Sequence, residues 1–225
     1  MPTAVEQRSN NRRRREQARS EVVRRALELA ETRPFRDVTV DEIARAARLS
    51  RSAFYTHFRD KHELLLAAVQ EVADELYRMS DRWWSGGGPP GDRVRRALEG
   101  VVSVYSEHAS LLRVATEVST YDADVREFWL SIVYRFIAAT AEHIRAEQRA
   151  GLIPELLEAQ ATSEGLIWMA ERCCYIYLAR GERTPEQVVD AMAPVWAAAL
   201  YPGVIPAEQL RAFDSAGGAA PGSRE

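Results

Sequence analysis

A chain of 225 residues, 46% of them hydrophobic and 28% charged, can bury a core in one large or two modest domains and is not disordered throughout. It lacks the roughly 18-residue apolar run of a membrane-spanning helix, and its arginine-rich start lacks the apolar stretch of a signal peptide. A cytosolic protein with no membrane partner is therefore expected. The net charge of −3 conceals a division: residues 1–60 carry 14 Arg against 9 Asp and Glu, and the remainder 16 Lys and Arg against 24 Asp and Glu. A phosphate-binding head on an acidic body would have these numbers, and so would a solvated basic face.

Residues 1–11 are polar and read as a disordered tail. Residues 12–33 place Val22, Val23, Ala26, Leu27 and Ala30 at helical spacing, and Pro34 ends that helix. Thr39 can then cap a helix through its hydroxyl while Glu42 reaches back from the N3 position. Val38 and Ile43 stand where a hydrophobic staple belongs. This helix runs to about Ala47. Ser50 can cap a second short helix over 51–58, and Asp60 with Glu63 opens a longer one to about Trp84. Two short helices joined by a three- or four-residue turn have the spacing of a helix-turn-helix, here at 39–58. Its inner face would be Ile43, Ala44, Ala47, Leu49, Phe54 and Phe58, set against Val23, Leu27 and Ala30.

The stretch 85–91, Ser-Gly-Gly-Gly-Pro-Pro-Gly, cannot be helical and separates head from body. Helical patterns follow at about 92–108, 110–119, 122–150, 155–181 and 184–201. Gly151 is placed to end the long helix, and Thr184, Pro185 and Gln187 start the last one. No strand-like alternation of useful length appears, so the fold class is all-α. The expected domains are a three-helix head at 12–59, a connecting helix and linker at 60–91, a helical body at 92–202 and a flexible tail at 203–225.

With Leu49, Phe54 and Phe58 turned inward, Arg51, Ser52, Tyr55 and Thr56 face outward. Arg51 projects from the helix end that enters the major groove in this kind of docking, where an arginine can make two hydrogen bonds to one guanine edge. Ser52 can reach a base edge or a phosphate, and Tyr55 a thymine methyl, a sugar or a phosphate. Thr39, Ser50 and Lys61 are natural phosphate donors beside the helix N-termini, and Arg48 in the turn completes the candidate DNA-facing set. The run Arg12–Arg15 can lie over the DNA backbone, in a minor groove, or in solvent. A three-helix subdomain with no DNA partner would have the same caps and apolar positions.

In the body, Tyr105, Trp129, Phe136, Trp168, Tyr175, Tyr177 and Trp196, with Trp83 and Trp84 ahead of the linker, sit at helical spacing. They form either a plain core or the walls of an apolar cavity. The last two helices carry Leu166, Ile167, Ile176, Leu178, Val188, Met192, Val195 and Ala199. These faces can pair two subunits into a homodimer or be buried within one chain. Adjacent Cys173 and Cys174 read as reduced apolar residues. Glu171 and Arg172 point about 100° apart on their helix, so each is expected to pair with another helix rather than with its neighbour. The body has only His108 and His143, on separate helices, and no metal cluster, Gly-rich phosphate loop or nucleophile motif is visible. No enzyme, catalytic residue, metal or cofactor is expected.

The stretch from Thr39 to Leu65, with its Thr-capped helix, Ile43-Ala44 pair, Ala47-Arg48-Leu49-Ser50 turn, Phe54-Tyr55-Thr56-His57-Phe58 and Lys61 before Glu63-Leu64, resembles the signature of the TetR family of repressors. The resemblance implies phosphate contacts from Thr39, Tyr55 and Lys61, and base or near-base contacts from Arg51, Ser52 and Thr56. Arg48 departs from the glycine common at that turn position and would carry a small strain. Over about 105–201 the chain is similar to the ethionamide-resistance repressor branch, through Phe128-Trp129, Ala139 to Glu142, Gly151, Met169-Ala-Glu171-Arg172 and Trp196. That similarity implies a tunnel lined near Trp129, Val133, Phe136, Thr140, Ile167, Ala170, Cys174 and Trp196. Ile167 and Ala170 stand where that branch carries amides, so a small apolar or weakly polar effector is expected. The implied function is a homodimer on palindromic double-stranded operator DNA, released by that effector.

Overall fold

The computed structural model describes residues 4–84 and 87–202, and every regular element among them is helical. In chain order these are α1 (Ala4–Thr32), a 3-10 turn (Phe35–Asp37), α2 (Val40–Ala46), α3 (Arg51–Tyr55), α4 (Lys61–Trp84), α5 (Pro90–Glu107), α6 (Ala109–Val118), α7 (Ala123–Arg149), α8 (Ala159–Cys173) continuing into a π-helical turn (Cys174–Leu178), and α9 (Pro185–Leu200). The expected tail at 203–225 and the side chains of Trp83 and Trp84 lie outside the described residues. No helix among the described residues is long and apolar enough to cross a membrane.

The caps act as the sequence implies. Thr39 and Glu42 close a capping box on α2, and Thr184 and Gln187 close another on α9 with a proline in its first turn. Gly151 takes φ 72° just past α7, the left-handed position that glycine adopts without steric cost. Three helix starts differ. α1 begins at Ala4, not near Arg12, so the described residues of the expected N-terminal tail are helical. Glutamates three and four residues from arginines support the polar part of this helix, as in Arg12–Glu16 at 2.8 Å and Arg25–Glu21 at 2.9 Å. α5 begins inside the Gly/Pro stretch, because Pro90 fits a first helical position that needs no N–H donor. α8 begins at Ala159, where the Glu158 carboxylate accepts from the amides of Gln160 and Ala161.

The chain forms two compact units. Among the described residues the first takes in 4–74 and 108–131, so α6 falls in the same unit as the helix-turn-helix. Arg113 donates to the Ala30 carbonyl at 3.3 Å and Ser110 to Glu31 at 3.1 Å, which ties α6 to the end of α1. The α1 stripe facing the core is Val22, Ala26 and Ala30, all buried, with Val23 and Leu27 half-buried beside it. Ile43, Phe54, Phe58, Leu64 and Leu65 are almost fully buried. Burial of each such side chain stabilises the unit by about 1.5–3 kcal/mol.

Among the described residues the second unit takes in 75–84, 87–107 and 132–202. Its core sets Val94, Leu98 and Val102 of α5 against Val188, Met192 and Trp196 of α9, and Arg95 pairs with Asp190 at 2.6 Å. Glu147 is buried, with Arg93 at 2.7 Å and the Tyr201 hydroxyl donating to it. A buried carboxylate needs partners of this kind to remain charged.

Candidate nucleic-acid interface

The helix-turn-helix is assembled from its caps inward. The Thr39 hydroxyl donates to Glu42 Oε2 at 2.7 Å and accepts from the Glu42 amide at 3.3 Å. Arg33 pairs with the other carboxylate oxygen at 2.7 Å. Arg33 first, and then Thr39, hold the Glu42 carboxyl down to about 2. After α2 the chain reverses at Arg48, which sits at φ 57°, and the Leu49 amide donates back to the Ala44 carbonyl at 2.8 Å. A left-handed conformation strains a residue with a Cβ, the small cost expected for a non-glycine residue here. Ser50 then caps α3 by accepting from the Ala53 amide at 3.1 Å.

Phe54 and Phe58 anchor α3 in the core, and its other face lies in solvent. Arg51, Ser52, Tyr55 and Thr56 are all exposed, as are Thr39, Arg48 and Ser50. Tyr55 leaves 45% of its surface open, notable for a large aromatic ring. Ser52 Oγ lies 3.0 Å from Ser50 Oγ, and the Thr56 hydroxyl donates to the Ala53 carbonyl at 2.7 Å. α3 ends at Tyr55, short of the expected Phe58. The carbonyls just beyond it turn to α1: Arg15 donates to Thr56 at 3.4 Å and Arg19 to His57 at 2.8 Å, with the Arg19 guanidinium 4.3 Å from the Phe58 ring. Burial, Arg15 and Arg19 together keep the His57 imidazole below its ordinary value.

One residue differs from the sequence reading of its role. Lys61 directs its ammonium to the carbonyls of Phe35 at 2.8 Å, Arg36 at 2.8 Å and Val38 at 2.7 Å. An ammonium has three N–H groups, so all are engaged within the protein and Lys61 is a clamp on the 3-10 turn, not a donor held ready for phosphate. The arginine run 12–15 is part of an exposed helix. Two residues with evident roles went unrecognised in the sequence. Arg19 contacts a segment 38 residues away, which no local pattern signals. Asp41 lies in the first turn of α2 and pairs with Arg51, whose Nη1 is 3.0 and 2.9 Å from its two carboxylate oxygens.

Seven of the eight residues expected to line a ligand site lie in the second unit. Val133, Thr140, Ala170, Cys174 and Trp196 are buried, and Phe136 and Ile167 are half-buried. Phe136 stacks on Tyr77 with ring centroids 4.5 Å apart. Trp129 is buried in the first unit. Glu171 and Arg172 pair with each other, Nε to Oε2 at 3.7 Å, which corrects the expectation of partners on other helices. Long side chains close a gap that backbone directions alone would leave open. Of the expected subunit-pairing face, Leu166, Leu178, Val188 and Met192 are buried within the chain. Ile167, Ile176 and Ala199 are half-buried, and Val195 is 49% exposed.

Residues 22–68 match the family model of bacterial regulatory proteins, tetR family. Residues 94–202 match that of the C-terminal domain of the transcriptional regulator EthR. The HTH-type transcriptional regulator EthR of Mycolicibacterium smegmatis is 30% identical over 188 residues, covering 80% of this chain and 84% of that protein. A TetR-like transcriptional regulator from Rhodococcus sp. RHA1 has a similar fold, with TM-score 0.64 and 20% identity over 88% of this chain and 97% of that one. So does AibR in complex with isovaleryl coenzyme A and operator DNA, with TM-score 0.61 and 20% identity over 82% of this chain and 98% of that one.

Proposed function

The chain belongs to the TetR family of DNA-binding transcriptional regulators, in the branch with an EthR-type C-terminal domain, and we propose that it is a repressor that an apolar small molecule releases from a palindromic operator. It is not an enzyme. The observation that carries the reading is the solvent face of α3: Arg51, Ser52, Tyr55 and Thr56 stand open on a helix held by buried Phe54 and Phe58. Arg51 supplies base contacts from the helix N-terminus, with Ser52 and Thr56 beside it. Thr39, Arg48, Ser50 and Tyr55 supply phosphate contacts that set the register.

Regulators of this family bind operator DNA and small molecules as dimers. For this chain the pairing face is on the last two helices, where Val195 and Ala199 keep apolar surface that one chain does not bury. The effector sits among Val133, Phe136, Thr140, Ile167, Ala170, Cys174 and Trp196. Apart from Thr140 and the indole N–H of Trp196 this set offers a ligand few polar groups, which favours an acyl chain, ester, ketone or aromatic ring. Ligand and DNA then weaken each other by one common factor, as linkage requires.

Footprinting on the DNA upstream of the protein's own gene tests the reading. A protected inverted repeat that is lost on adding an apolar effector supports it. Uniform, salt-sensitive protection with no preferred site contradicts it.

A further inference from the structure

We propose that Asp41 is a positioning residue for base recognition: it holds the Arg51 guanidinium in the orientation that reads one base pair. The inference rests on the DNA-reading role of α3 and assigns to it a residue on the preceding helix.

Asp41 is unusual in its place. It stands two residues after Thr39, for which a phosphate contact is proposed, where a carboxylate would repel the DNA backbone. Its position in the first turn suits the helix dipole, as any acidic residue there would. Its contacts are more specific. Both carboxylate oxygens face Arg51 Nη1, at 3.0 and 2.9 Å, across the turn that joins the two helices. Arg51 Nη2 reaches the Tyr55 hydroxyl at 3.4 Å, and the guanidinium lies 5.8 Å from the Tyr55 ring centroid. The guanidinium is thus gripped from two sides by residues of two helices.

Stability does not explain the arrangement. The Arg51 and Asp41 side chains are 62% and 49% exposed, and exposed ion pairs contribute little to folding. Recognition does. An arginine side chain has four rotatable bonds, and ordering it on the DNA opposes binding. A guanidinium has five N–H groups. The three contacts to Asp41 and Tyr55 engage at most three, which leaves the two that a guanine edge accepts. Pairing with Asp41 also offsets the carboxylate's repulsion of phosphate. The pair therefore orders the reading group before DNA arrives.

The test selects preferred duplexes from a random library with the native protein, then measures affinity for the best site and for each single base-pair change in it. Arg51→Ala identifies the base pair that Arg51 reads. Asp41→Asn is expected to lose roughly tenfold discrimination at that same base pair and to keep it elsewhere. The variant carrying both changes loses no more than Arg51→Ala alone, and Asp41→Glu recovers part of the discrimination. An Asp41→Asn protein that changes affinity equally for all sequences, or not at all, overturns the proposal, as does a loss confined to other base pairs. Melting temperature and helical circular dichroism of each variant separate misfolding from lost reading. If the native protein selects no sequence, the DNA-reading role itself fails, a result distinct from failure of the Asp41 assignment.

Discussion

Replacing Lys61 by Met keeps the aliphatic stem and removes the ammonium that joins α4 to the 3-10 turn. Three carbonyls, those of Phe35, Arg36 and Val38, lose a charged donor at 2.7–2.8 Å. The Phe35 ring, 5.2 Å from the ammonium, loses a cation. Hydrogen bonds to charged groups contribute about 1.5–3 kcal/mol each, so about 5–9 kcal/mol is a ceiling. The site is half-buried and water can reach part of it, which brings the expected loss to about 2–3 kcal/mol. In a chain of this length that lowers the melting temperature by about 5–10 °C. Thermal denaturation reads the loss, and DNA titrations at several salt concentrations separate a clamp from a phosphate contact. The clamp predicts a lower melting temperature with an unchanged salt dependence at temperatures where the variant is folded. A phosphate contact predicts a slope of log K against log salt smaller by about 0.9. An unchanged melting temperature together with that reduced slope would refute the clamp.

Three further perturbations have definite signs. Arg48→Gly relieves the left-handed strain at φ 57° against the flexibility that glycine adds to the unfolded chain. The net expectation is a gain of about 0.5–1 kcal/mol in urea unfolding, and a loss of stability would show that Arg48 makes compensating contacts. Glu42 is ionised in the folded head down to a pKa of about 2, below its ordinary 4.5, so its stabilisation is complete above pH 4.5 and lost as pH falls toward 2. The difference in melting temperature between native protein and Glu42→Gln should close over that window, and a difference that does not vary with pH would contradict the assignment. Burial pushes the Cys174 thiol well above its ordinary value and Cys173 upward too. A thiol reagent should leave Cys174 unmodified in the folded protein and label it on unfolding, and rapid labelling without unfolding would contradict its burial.

The helix-turn-helix was legible because its information is local. A capping box needs residues three apart, and Thr39 with Glu42 states its own structure. The inward pair Phe54 and Phe58 fixes which side of α3 meets solvent. Gly151 and Thr184 mark their helix ends in the same way. What escaped the reading depends on contacts distant in sequence or on surface charge. The first turns of α1 have no apolar stripe to announce a helix. The role of Lys61 rests on carbonyls 23–26 residues away, and that of Arg19 on one 38 residues away. The role of Asp41 rests on Arg51, ten residues away on another helix. The membership of α6 in the first unit depends on Arg113 and Ser110 reaching α1, which helical periodicity alone cannot reveal. In the second unit the apolar pattern locates the helices but does not distinguish a core from a cavity wall.

In the proposed function α3 reads DNA sequence through Arg51. Its most direct test is a titration of native protein and Arg51→Ala against the footprinted duplex and a scrambled duplex at one salt concentration. The substitution is expected to cost about 1–3 kcal/mol more on the footprinted site than on the scrambled one, so that the ratio of the two affinities falls by roughly five- to 150-fold. An equal loss on both duplexes would reduce Arg51 to a backbone contact, and unchanged affinity on both would remove α3 from the interface.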